Sequence, residues 1–105
     1  MVQLVQYNMT GILDACKKHH VKSLYLIGSA AGDGEKFNAE SDVDFLYRFN
    51  KNEIEEMDYA DNYFSLLERL EYLLKRKVDL VAEERLRNPY FIERINKNKQ
   101  KIYES

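Results

Sequence analysis

Residues 41 to 49, Ser-Asp-Val-Asp-Phe-Leu-Tyr-Arg-Phe, set two carboxylates two positions apart in a run that is otherwise mostly aromatic and aliphatic. Val43, Phe45 and Tyr47 alternate there with Asp42, Asp44 and Leu46, the period-two signature of a β-strand. Residues i and i+2 of a strand face one side, so both acids point the same way. Like charges on one face with no counter-charge are costly, through desolvation and mutual repulsion. A hard divalent cation with oxygen ligands, Mg²⁺ or Mn²⁺, removes that cost. Asp79 poses the same question in Val78-Asp79-Leu80-Val81, where one carboxylate interrupts an apolar strand. If that strand neighbours the first, three carboxylates meet at one edge of a site.

The rest of the chain supplies a frame for these strands. Val5, Met9, Ile12, Leu13 and Cys16 recur in steps of one, three and four, which predicts one amphipathic N-terminal helix. Gly11 weakens it, and Lys17, Lys18, His19 and His20 crowd its end, where positive charge suits the helix dipole. Leu24-Tyr25-Leu26-Ile27, closed by Gly28, reads as a buried strand entering a turn. A polar, glycine-bearing loop follows. Ile54, Met57, Ala60, Phe64, Leu67, Leu70 and Leu74 step by threes and fours, predicting a long helix from about Asn52 to Arg76. Val78, Leu80 and Ala82 alternate with Asp79 and Val81 in a third strand. Asn88 and Pro89 suit the cap and first position of a last helix. The tail, Lys-Gln-Lys-Ile-Tyr-Glu-Ser, fits a helix end or a short strand. One α/β domain over residues 1–105 is the expectation.

Gly28-Ser29 complements the acids. A glycine lets backbone approach a phosphate, and the N–H groups that follow, with the Ser29 hydroxyl, cradle its oxygens. Alone, a Gly-Ser after a strand is usually a turn, and an Asp-x-Asp is usually a solvated strand face. Their order, spacing and strand context together point to phosphoryl or nucleotidyl transfer, where positioning and charge neutralisation do most of the catalysis.

Composition narrows the partners. A net charge of −2 argues against tight, sequence-independent binding to long nucleic acid, which needs a basic face. Cys16 is the single cysteine, so no internal disulfide forms and no zinc site rests on thiols alone. The N-terminus lacks signal-peptide character, and no stretch approaches the roughly 20 apolar residues of a membrane span. The expected setting is cytoplasmic.

Together, Gly28-Ser29-Ala30-Ala31, Ser41-Asp42-Val43-Asp44-Phe45-Leu46 and Val78-Asp79-Leu80-Val81 resemble the minimal nucleotidyltransferases of the DNA polymerase β superfamily. The resemblance runs from the first helix to Asn88-Pro89-Tyr90-Phe91. It implies a polymerase β-like fold, a small mixed β-sheet with helices packed on it. It implies a nucleoside triphosphate, with ATP the favoured donor, and Mg²⁺ or Mn²⁺ as cofactor. Asp42 and Asp44 match the metal-binding pair. Asp79 matches the third acid, which joins the metal set and assists the attacking hydroxyl. Gly28 and Ser29 match the triphosphate contacts. Many solo domains of this size are antitoxins encoded beside a helical toxin of the HEPN class, and some transfer AMP to that partner.

Two departures stand out. The family often carries Arg four residues after its motif glycine, and here that position is Gly32, with Lys36 the nearest point charge able to stand in. The loop from Gly28 to Ser41 also looks about two residues longer than the commonest form. The leading expectation is therefore AMP transfer to a partner hydroxyl by in-line attack on the α-phosphorus. Its rivals are a catalytically weak or inactive module that neutralises a toxin by contact, and a small-molecule transferase subunit. Self-association is left open.

Other residues invite blander readings. His19 and His20 are adjacent on a helix and share no face, so they fit a helix end better than a joint site. Cys16 falls at an apolar position. Tyr59, Tyr63, Phe64 and Tyr72 fit a core or an interface. Lys75-Arg76-Lys77 and the lysines from 97 to 101 read as solvated charge.

Overall fold

The computed structural model describes all 105 residues. Its elements run α1 (Gln3–Tyr7), α2 (Met9–Lys18), β1 (Val21–Ile27), β2 (Val43–Phe49), α3 (Tyr59–Leu74), β3 (Val78–Ala82), α4 (Pro89–Asn98) and β4 (Gln100–Glu104). The strands form one mixed sheet in the order β3-β2-β1-β4. β1 runs antiparallel to β2 and β4, while β2 and β3 are parallel and joined through α3. No helix is long and apolar enough to cross a membrane.

Strand alternation sorts side chains onto two faces. Leu24, Leu26, Val43, Phe45, Val78 and Leu80 point to one face and pack on Ile12, Ala15 and Cys16 of α2 and Leu66, Leu70 and Leu74 of α3. Burial there pushes the Cys16 thiol up to about 12, as befits an inert core cysteine. The opposite face carries Tyr25, Ile27, Asp44, Leu46, Asp79 and Val81. α4 covers only part of it, seating Ile95 against Ile27 and Leu46.

The helices depart from the simple periodic reading. The N-terminal helix is two helices that meet at Asn8 (φ −101°, ψ 11°), whose side-chain amide donates to the Leu4 carbonyl and competes with the backbone ladder. The long helix starts at Tyr59, not near Asn52. Residues 51–53 and 56–58 are single 3₁₀ turns instead. Four acids, Glu53, Glu55, Glu56 and Asp58, crowd that stretch, and like charges at helical spacing repel. Within α3 the buried stripe is Leu66, Leu70 and Leu74, whereas Met57 is 85% and Phe64 57% exposed. Five leucines in nine residues offer two overlapping stripes, and spacing alone does not choose between them. Tyr59 and Tyr63 join the edge of the core beside Tyr47, and Phe64 and Tyr72 lie on the surface.

The C-terminal part follows its local chemistry. Asn88 caps α4 by accepting from the N–H groups of Tyr90 and Phe91, with Pro89 at the first helical position. The ambiguous tail forms a strand, β4, on the outer edge beside β1. His19 takes the C-cap position of α2, its ring nitrogen 2.8 Å from the Ala15 carbonyl.

Candidate active site

Register brings the acids together. Ile27 of β1 pairs with Asp44 of β2, and Asp44 pairs with Asp79 of β3. Neighbouring strands lie about 4.8 Å apart, so the end of β1, Asp44 and Asp79 form a short row across the sheet. All three sit on the face that α4 leaves partly open. Asp42 precedes the first residue of β2 and shares the parity of Asp44. Asp79 is exposed, while Asp42 and Asp44 are half-buried.

Gly28 closes the row. It has φ +72°, and a Cβ there would lie 2.4 Å from the Asp44 Oδ2. Both the left-handed backbone and the carboxylate at its back require glycine. The chain then makes one 3₁₀ turn over residues 28–30, with the half-buried Ser29 at its centre. The turn is fastened from the far end of the chain. Asn98 Nδ2 donates to the Gly28 carbonyl at 3.3 Å, and the Gly32 N–H donates to Gln100 Oε1 at 3.0 Å.

Gly32 itself has φ +67°, and a Cβ there would lie 3.2 Å from Asn98 Oδ1. An arginine at this position would be strained and crowded, so the loop and the missing guanidinium belong together. Lys36 is exposed.

The electrostatics are one-sided. Burial pushes Asp44 up to about 6, and the charges of Asp79 and then Asp42 push in the same direction. The ion pairs of the chain all lie elsewhere. Carboxylate oxygens with no protein cation among them are the hard donors that suit a divalent metal. The structure aligns Asp44 with Asp79 and sets Asp42 two residues before Asp44, but no three acidic, histidine or cysteine groups close into a ready-made cage.

Periodicity placed Gly28, Asp44 and Asp79 correctly in the fold but did not reveal what braces them. Asn98 and Gln100 lie some seventy residues from the turn they hold. Arg76, read as solvated charge, is half-buried instead, and its guanidinium stacks 4.6 Å over the Phe37 ring. No local pattern announces such contacts.

Comparison with known proteins adds an independent line. Residues 11–105 match the family model described as polymerase beta, nucleotidyltransferase. A Methanocaldococcus jannaschii protein named "Putative protein adenylyltransferase" is 40% identical over 73 residues, covering 70% of this chain and 68% of that protein. Among solved structures, a toxin–antitoxin complex with AMP-PNP aligns with a TM-score of 0.68 at 16% identity, covering 93% of this chain and 74% of that one. A complex of tri-AMPylated Shewanella oneidensis HEPN toxin with MNT antitoxin aligns at 0.61 and 16% identity, covering 95% of this chain and 72% of that one. At such identities these two structures speak for the fold.

Proposed function

This chain belongs to the polymerase beta nucleotidyltransferase family, and we propose that it acts there as a metal-dependent adenylyltransferase, moving AMP from ATP to a hydroxyl of a partner protein. The observation that carries the proposal is the row of Gly28, Asp44 and Asp79, with Asp44 held up to about 6 and no protein cation beside it.

The roles follow from position. Asp42 and Asp44 would hold Mg²⁺ or Mn²⁺, which when bound neutralises phosphate charge and favours departure of pyrophosphate. Gly28 and Ser29 would take the triphosphate, the glycine by close backbone approach and the serine by its hydroxyl. Asp79 is the most exposed of the three acids and faces the same space. It would complete the donor set and draw the proton from the acceptor hydroxyl as that oxygen attacks the α-phosphorus in line. The acceptor proposed is a HEPN-type toxin. The HEPN toxin in the similar complex carries AMP, and the M. jannaschii relative is named for protein adenylylation.

A second reading has its own observation. Gly32 stands where the family often carries a phosphate-clamping arginine, and its left-handed backbone (φ +67°) favours glycine there. A weakly active domain that silences its partner by contact would look this way. The test is incubation of the chain with ATP, Mg²⁺ and a HEPN-type partner, followed by intact mass of the partner. Mass increments of whole AMP units support the transferase. Neutralisation of the toxin with an unchanged mass selects the contact reading.

A further inference from the structure

Asp42 differs from its two companions in how it is held. Asp44 and Asp79 lie inside paired strands, where the ladder fixes their backbone. Asp42 lies outside the strand, at the end of the long loop that begins after Gly28. A carboxylate on a loop end has more freedom than one in a ladder. A catalytic group displaced by about 1 Å costs on the order of 10²-fold in rate.

Two consecutive residues of the α3–β3 link bracket it. The Val43 N–H donates to the Lys77 carbonyl at 3.0 Å, just after Asp42. The Arg76 guanidinium donates to the Ser41 carbonyl, just before it. That carbonyl belongs to the peptide plane leading into Asp42, so holding it limits rotation about that plane. The other face of Arg76 lies on Phe37, which packs against the main core. The Ser41 turn is closed from within as well. Its N–H donates to the Asn38 carbonyl, and its hydroxyl accepts from the Asn38 N–H at 3.0 Å. Arg76 thus meets a carbonyl and a ring, not a carboxylate, which is the geometry of a brace and not of an ion pair.

We propose that Arg76 is a positioning residue that fixes the carboxylate of Asp42 through the Ser41 carbonyl, with Phe37 as its seat. The part that concerns metal rests on the function proposed above; the brace itself does not. Lysine keeps the charge and one donor but loses the planar stack, so it should restore only part of the effect.

The experiment compares wild type with Arg76→Ala, Arg76→Lys, Phe37→Leu and a control, Leu73→Ala, whose side chain faces Gly11 away from the site. Amide hydrogen exchange is followed across residues 38–46 in the metal-free protein. Mn²⁺ binding in the presence of ATP is followed by electron paramagnetic resonance, with Asp42→Asn as reference. The expected result is exchange about tenfold faster around Asp42 in Arg76→Ala. Mn²⁺ affinity should fall by about tenfold, the lower end for loss of a group that orients a ligand. Arg76→Lys and Phe37→Leu should fall between, and Leu73→Ala should change neither beyond its global loss of stability. Unchanged exchange at residues 41–43 in Arg76→Ala overturns the brace. Faster exchange with wild-type Mn²⁺ affinity, where Asp42→Asn loses it, overturns the positioning role. A wild type that binds no Mn²⁺ fails the metal reading instead, and the exchange rates then decide the brace alone.

Discussion

The two ends of one strand face handle charge in opposite ways. Asp44 and Arg48 both lie on β2 and point to the same side of the sheet. At the Arg48 end the acids of the 83–84 turn are paired. Arg48 pairs with Glu83 at 3.3 Å and Glu84 at 3.1 Å, and Lys51 reaches Glu84 at 2.6 Å. The hydrogen bond from Lys51, with further help from Arg48, holds the Glu84 carboxyl below its ordinary range. At the Asp44 end three carboxylates stand without a protein cation, and Asp44 is pushed up to about 6. The chain had the means to neutralise an acid on this face and did so only at one end. The other end leaves its negative charge without a protein partner, and the function proposed above assigns that charge to a divalent cation carrying a triphosphate.

The largest effect should come from Asp79. Asp79→Asn is nearly isosteric and changes no core contact, so ATP binding should survive while AMP transfer falls by about 10²- to 10⁴-fold. Transfer rate and nucleotide affinity, measured on one preparation, check this. Equal losses in both would make Asp79 a binding group. Next in size is Ser29. A hydrogen bond to a charged phosphate is worth about 1.5–3 kcal/mol, so Ser29→Ala should lose roughly tenfold or more in ATP affinity at little cost to folding. Calorimetric titration with ATP gives the number, and an unchanged affinity removes Ser29 from the site.

A smaller effect sharpens the contrast through pH. The folded-state value of Asp44, about 6, lies above the ordinary carboxylate value of about 3.9 for an unfolded chain. The stabilising state is therefore the protonated one. Its contribution is complete below about pH 4 and is lost as pH rises to about 6 and beyond. Metal-free Asp44→Asn should melt above wild type at pH 7.5 and lose that advantage near pH 4, a difference of a few degrees in Tm. Groups that do not interact with Asp44 cancel in the comparison. The Glu84 end should respond in the opposite sense, since a lowered carboxyl stabilises at neutral pH and loses that contribution on acidification. Lys51→Ala should cost at most about 1 kcal/mol, as exposed pairs do, and should leave ATP binding alone.

What could be read from the sequence was whatever a short period encodes. Alternation in residues 41–49 and 78–82 fixes which way each side chain points, so Asp44 and Asp79 fall on one face opposite the Phe45 and Leu80 core, although the strand begins at Val43 and leaves Asp42 just before it. Glycine before Ser29 and asparagine before Pro89 are local statements that the backbone carries out as written. Helix boundaries were harder. Asn8 breaks the first helix through a side-chain hydrogen bond that apolar spacing ignores, and the leucine-rich α3 admits a stripe through Phe64 as readily as the true one through Leu66. Least legible were the braces. Asn98 and Gln100 on the Gly28–Gly32 turn, and Arg76 on the Ser41 carbonyl, are long-range contacts whose partners only the finished fold brings together.

Binding of Mn²⁺ with ATP to wild type, Asp44→Asn and Lys51→Ala tests the central claim most directly. An unpaired end of three carboxylates that takes a cation and a paired end that serves stability predict different outcomes from the same titration. Wild type and Lys51→Ala should bind Mn²⁺ alike in the presence of ATP, and Asp44→Asn should lose that binding. Retention of wild-type Mn²⁺ affinity by Asp44→Asn would contradict the account.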